Sequence, residues 1–206
     1  MGYFVSAVLN SHLEFEQRQM PETAPVIARN LPSPPIDRIV LTGFMGAGKT
    51  TVGNLLAARL AWRFADADET IEAAAGTTIA QLFFERGEPW FRQLEHETIR
   101  QLLEVESLVL ALGGGAIEDD RTLRLLLSAQ GTRLVHLEAS LETVLERCRG
   151  TESLRPVLQD KPNLEARYLR RLPLYRQAHL TLAVDALHPQ AAADAILGHL
   201  GISVPA

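Results

Sequence analysis

Cysteine and lysine are the scarce residues of this 206-residue chain. A single cysteine, Cys148, makes no intramolecular disulfide, which excludes a disulfide scaffold and makes a reducing, cytoplasmic compartment the expectation. No apolar run is suited to span a bilayer: Ser107 to Ile117, among the longest, is short and broken by glycine, so no membrane partner is expected. Basic excess is missing too. The formal net charge of −5 excludes a polyanion binder that relies on bulk charge, and nucleic acid is not an expected partner. No Cys/His spacing marks a structural metal, no internal repeat is visible, and Met1 to Asn10 lacks the lysine or arginine of a secretory signal. Among 20 basic residues only Lys49 and Lys161 are lysine, so a lysine at a chemically loaded position carries weight.

What is present is 47% apolar residue content, enough for the core of one domain. Residues 1–35 stand apart: Pro21, Pro25, Pro32, Pro34 and Pro35 remove backbone donors and block helix, which predicts a disordered lead-in. Met20 is an alternative start, and a functional arm is the other reading. From Ile36 to the end, residues 36–206 alternate short β-branched runs with helical periods. Strands are predicted at Ile39–Leu41, Arg63–Ala65, Leu108–Leu112, Leu134–Leu137 and Leu180–Val184. Helices are predicted at Thr50–Leu60, Glu88–Glu104, Leu123–Leu127, Leu141–Cys148, Leu164–Gln177 and in the Ala-rich stretch to Leu200. The fold class is α/β: a five-stranded parallel sheet with helices on both faces.

Gly43-Phe44-Met45-Gly46-Ala47-Gly48-Lys49-Thr50 satisfies G-x-x-x-x-G-K-[ST] and lies between the first strand and the first helix. Such a loop turns backbone N–H groups onto phosphate oxygens, and the helix N-terminus adds positive potential. Lys49 reaches the β- and γ-phosphates and Thr50 can ligate Mg²⁺. The nucleotide set is Gly46, Ala47, Gly48, Lys49, Thr50 and Thr51, and the ligands are ATP and Mg²⁺. The strand Leu108–Leu112 runs into Gly113-Gly114-Gly115 with no acidic residue, unlike motor ATPases, while Asp66 and Asp68 follow the second strand. That pattern points to a small-molecule kinase.

Further motifs follow in order: Asp66-Ala67-Asp68, Gly87-Glu88-Pro89-Trp90-Phe91-Arg92, Gly113-Gly114-Gly115, Arg155-Pro156-Val157-Leu158 and Arg171-Leu172-Pro173-Leu174-Tyr175. Together with the phosphate loop they resemble the shikimate kinase family, over about Ile39 to Leu200. Ala67 and Val157 depart mildly from the family pattern and remove no functional side chain. The resemblance implies strand order 2-3-1-4-5, a mobile lid at about 150–162 and a substrate-binding helical region at about 69–104. It implies ATP-dependent phosphorylation of the 3-hydroxyl of shikimate. It also implies that Arg92 and Arg171 grip the substrate carboxylate, a task suited to planar guanidinium forks. Arg167, Arg170 and Arg176 lie close to Arg171 and compete for that role.

Asp68 suits the acceptor hydroxyl as orienter and base, and Gly113, Gly114 and Gly115 admit the substrate to the main chain or form a tight turn. Glu95, one turn after Arg92, can hold its guanidinium. Asp66 serves Mg²⁺ through water or caps a helix. The resemblance further implies that Arg155 brings a cation to the transferring phosphoryl group and that Arg147 is the arginine that stacks on adenine, with Arg149 competing. His136 is read as a core residue. The catalytic set is Lys49, Asp68 and Arg155, in a monomer. The rivals are a kinase for another polyol acid such as gluconate, and a non-catalytic nucleotide-binding regulator.

Overall fold

The computed structural model describes residues 35–149 and 161–203. The expected lead-in and most of the expected lid, with Arg155, lie outside the described residues. β-Branched and leucine side chains fill β1 (Arg38–Thr42), and Ile39, Val40 and Leu41 are wholly buried. A strand so apolar on both faces belongs at the centre of a parallel sheet. β1 lies there, pairing in parallel with β3 (Leu108–Ala111) on one side and β4 (Thr132–Glu138) on the other. β2 (Arg63–Asp66) and β5 (Leu180–Ala183) form the edges, giving the order β2-β3-β1-β4-β5. This is the order that the resemblance implied. The edge strand β5 alternates half-buried and exposed residues, while β3 is buried throughout.

Chain order and sheet order part company beside β1, and the crevice at the carboxyl ends of the strands opens there. α1 (Lys49–Leu60) rises from it and packs against β3 and the last helix, α8 (Pro189–Leu200). α2 (Ala67–Ala75), α3 (Ile79–Arg86) and α4 (Glu88–Leu102) follow β2 and form the expected helical region. Asp66 caps α2 through its side chain, Thr78 caps α3, and Pro89 occupies the first turn of α4. These three helices share a small core of their own, Ile71, Leu82 and Phe91, apart from the main one. α5 (Asp120–Ser128), α6 (Leu141–Arg147) and α7 (Lys161–Tyr175) complete the layers. α7 begins three residues earlier than its apolar period indicates, so the last two residues of the expected lid are helical. Among the described residues no helix is long and apolar enough to cross a membrane.

The small core makes a direct prediction. Phe91 is 2% exposed and its ring centroid lies 4.4 Å from that of Phe83. Phe91→Ala should cost about 3–5 kcal/mol, read from the urea midpoint at unchanged slope.

Candidate active site

The phosphate loop leaves β1 with a constraint. Gly43 has φ 145°, and a Cβ there would meet the carbonyl oxygen of Leu137 at 2.6 Å. Only glycine fits so close to β4. The loop then enters α1, whose first turn has neither a side-chain cap nor an acidic residue. Its amides are therefore unclaimed by the side chains that cap α2, α3, α5 and α6. The Lys49 ammonium donates to the carbonyls of Gly43 at 2.8 Å and Phe44 at 3.1 Å, lying across the loop it serves. The Thr50 hydroxyl donates to Asp66 Oδ2 at 3.1 Å, and Asp66 Oδ1 accepts from the Asp68 amide at 3.0 Å. Asp66 thus caps α2, one of the two roles expected of it, and also faces Thr50. Hydroxyl and carboxylate oxygens form a hard donor set suited to Mg²⁺, which keeps most of its shell for phosphate and water.

A cleft of about 940 Å³ runs along the loop. Gly46, Ala47, Gly48, Thr50 and Thr51 line it with Lys49. Arg147, Val184 and Leu187 line one end, and Arg147 is fixed by donating to the Val184 carbonyl at 2.7 Å. Of Arg147 and Arg149, only Arg147 lines the cleft. Asp66, Asp68, Gly114 and Arg171 line the other end.

At that end the triple glycine is a floor against which three side chains press. A Cβ on Gly113 would lie 2.5 Å from Asp68 Oδ1. One on Gly115 would lie 2.6 Å from Arg92 Nη2 and 2.9 Å from Arg171 Nη2. The two guanidiniums therefore converge on one backbone position from different helices. Arg92, on α4, is gripped by Glu95 at 2.6 Å and Glu88 at 3.2 Å, over the rings of Phe91 and Phe83. Arg171, on α7, is buried and sits over Phe44. Of its sequence competitors, Arg170 is exposed and Arg176 pairs with Glu138 at 2.6 Å, while Arg167 lines the same cleft as Arg171.

Burial, then the charge of Asp66, pushes the Asp68 carboxyl up to about 6, against the pull of Lys49. Burial likewise raises Glu95 to about 7 against the pull of Arg92. His136 is the core residue expected: buried, stacked on Tyr175 with centroids 5.0 Å apart, and lowered to about 4 by burial. Two contacts escaped sequence reasoning. Tyr175 donates its hydroxyl to the Gly114 carbonyl at 2.5 Å, and Glu118 binds Arg171 at 2.6 Å. The rule that a buried arginine needs a carboxylate was the available signal, but it names no position.

The arrangement joins a phosphate cradle to a pocket with two cations and one poised carboxylate, fit for an anionic, hydroxylated acceptor. The family model for shikimate kinase matches residues 45–200. A shikimate kinase of Persephonella marina is 38% identical over 163 residues, 79% of this chain and 98% of that relative. The solved shikimate kinase of Acinetobacter baumannii, in complex with shikimate, is 36% identical with a TM-score of 0.74, covering 80% of this chain and 93% of that one. A gluconokinase from Sinorhizobium meliloti 1021, at 22% identity and a TM-score of 0.52 over 80% of this chain and 94% of that one, shares the fold alone. The chain belongs to the shikimate kinase family.

The closeness of Gly113 to Asp68 can be tested directly. Gly113→Ala should displace the carboxyl and lower kcat by about 10- to 100-fold, since misplacement by 1 Å costs up to about 10². ATP affinity, measured by calorimetry, should stay within about threefold of the parent, because the phosphate loop does not touch this Cβ.

Proposed function

We propose that this member of the shikimate kinase family transfers the γ-phosphoryl group of ATP to the 3-hydroxyl of shikimate, giving shikimate 3-phosphate and ADP. One observation supports the reading most: Arg92 and Arg171 converge on Gly115, and Arg171 shares the cleft with Asp68 and Lys49. A gluconate-type acceptor also offers a carboxylate, but the chain's likeness to a gluconokinase is one of fold alone.

In this reading the two arginines hold the shikimate carboxylate and the glycine floor lets the ring lie against the main chain. Asp68 accepts a hydrogen bond from the 3-hydroxyl and takes its proton as the oxygen attacks the γ-phosphorus. The bond from that phosphorus to the β,γ-bridging oxygen breaks, and ADP leaves. Little covalent work falls to the protein, so rate comes from positioning and charge stabilisation. Lys49 supplies a cation at the β- and γ-phosphates, Gly46 to Thr51 supply loop and helix donors, and Arg147 lies where the adenine would stack. Thr50, and Asp66 through water, would hold Mg²⁺, which neutralises charge on the phosphate oxygens. Arg155 enters through the family motif alone and lies outside the described residues. The catalytic unit is residues 36–206, with residues 1–35 as a lead-in, in a cytoplasmic monomer; the single cysteine agrees with that compartment.

The deciding experiment is an ADP-release screen with shikimate, gluconate and no acceptor. Turnover should appear with shikimate only; turnover with gluconate and none with shikimate reverses the reading, and no turnover with any acceptor favours a nucleotide-binding regulator.

The raised Asp68 carboxyl sets a pH dependence. A base works only when ionised, so kcat at saturating shikimate should hold above about 6 and fall as pH drops through that value. Glu95 grips Arg92 and also feels the charge of Asp68, so its protonation should move the shikimate KM and shift the Asp68 limb of kcat to lower pH. Asp68→Asn should lower kcat at least about 100-fold, remove the acidic limb and leave ATP affinity within about threefold. Collapse of ATP binding in that variant would make Asp68 a metal ligand instead.

A further inference from the structure

We infer that Glu118 is the positioning residue of Arg171, holding one edge of its guanidinium so that the remaining edge faces the acceptor's carboxylate over Gly114 and Gly115. The inference rests on the acceptor reading above and adds a residue that no motif marks. Glu118 ends the 3-10 turn Ala116–Glu118, directly after the glycine floor. Backbone bonds from Ala116 to the Gly113 carbonyl at 3.2 Å and from Glu118 to that of Gly115 at 3.0 Å make the turn one rigid piece with that floor.

From this turn the two carboxylate oxygens divide the work. Oε2 takes Arg171 through Nε at 2.8 Å and Nη2 at 2.6 Å. Oε1 takes the neighbouring Arg170 through Nε at 2.9 Å and Nη2 at 2.9 Å. One edge of the Arg171 fork is thereby committed. Its Nη1 points to the floor, where a Cβ on Gly114 would lie 3.5 Å away. An arginine carries a long, rotamer-rich side chain, and a carboxylate bound along one edge fixes the plane of the whole guanidinium. Burial pushes the Glu118 carboxyl up, but the hydrogen bond from Arg171 and the charges of both arginines outweigh it and hold it below the usual range. It therefore stays an anion. Glu95 plays the same part for Arg92, so each half of the clamp arrives with its own orienting carboxylate.

A purely structural alternative exists, since Glu118 also ties α7 to the turn. Steady-state kinetics on the full chain separate the two. Glu118→Gln, which keeps the shape, and Glu118→Ala should raise the shikimate KM at least about 10-fold while the ATP KM stays within about twofold. Arg170→Ala, which loosens the tie on its exposed side, should leave both KM values within about twofold. In an Arg171→Ala background, adding Glu118→Ala should change the shikimate KM no further. The inference is overturned if Glu118→Ala leaves the shikimate KM unchanged, if both KM values rise together, or if the two substitutions add. Failure of the acceptor reading looks different: the parent chain itself then fails on shikimate, and the same variants are read on the KM of the acceptor it does use.

Discussion

One carboxylate joins the two halves of the catalytic cleft. Asp66 ends β2, and its oxygens reach in different directions, one to the Thr50 hydroxyl on α1 and one to the Asp68 amide on α2. The phosphate loop is thereby fixed to the helix that carries the proposed base, across a gap in sequence but not in space. The β2–β3 register carries the same constraint into the sheet, since Asp66 pairs with Ala111, just before the glycine floor. Asp68 and Gly113 meet because of that register. A shift of one residue would flip the side chain to the other face of the strand.

The two guanidiniums of the site each have a counter-charge. Arg92 is held by Glu95 and Glu88, and Arg171 by Glu118. Such partners lower the cost of keeping a guanidinium partly buried, which is large for an unpaired ion. Asp68 has Asp66 beside it and, among the described residues, no hydrogen bond from an arginine, and burial disfavours its charge against the pull of Lys49 and Arg92. The same surroundings that raise it toward 6 leave it basic enough to receive a proton and still ionised near neutrality.

Legibility in the sequence follows the range over which each interaction is decided. β1 and the loop after it were readable because a fully buried strand is a continuous apolar run and phosphate binding fixes residue types at fixed spacing. Arg92 and Glu95 share a turn of one helix, so their pairing is local and was readable too. The division of residues 67–102 into three helices was only partly readable, although Thr78 with Gln81 forms a capping-box signal at the start of α3. Glu118 and Tyr175 were not. Glu118 pairs with a residue 53 positions away and Tyr175 reaches one 61 positions away, and no local pattern encodes such contacts. That Arg171 is buried while Arg170 is exposed was not readable either, since several arginines on one helix do not disclose burial.

The clamp also has a mechanical meaning. Arg92 belongs to α4 and to the lobe with its own small core, Arg171 belongs to α7, and the glycines belong to the end of β3. A carboxylate bound between the two arginines would tie all three elements together. Because Glu95 and Glu118 fix the guanidiniums beforehand, little side-chain entropy is left to lose on binding, and the remaining cost is placement of the lobe against the sheet. An acceptor that binds only with the lobe in place stabilises it by RT ln(1 + [L]/Kd), so affinity and local stability become two measurements of one quantity.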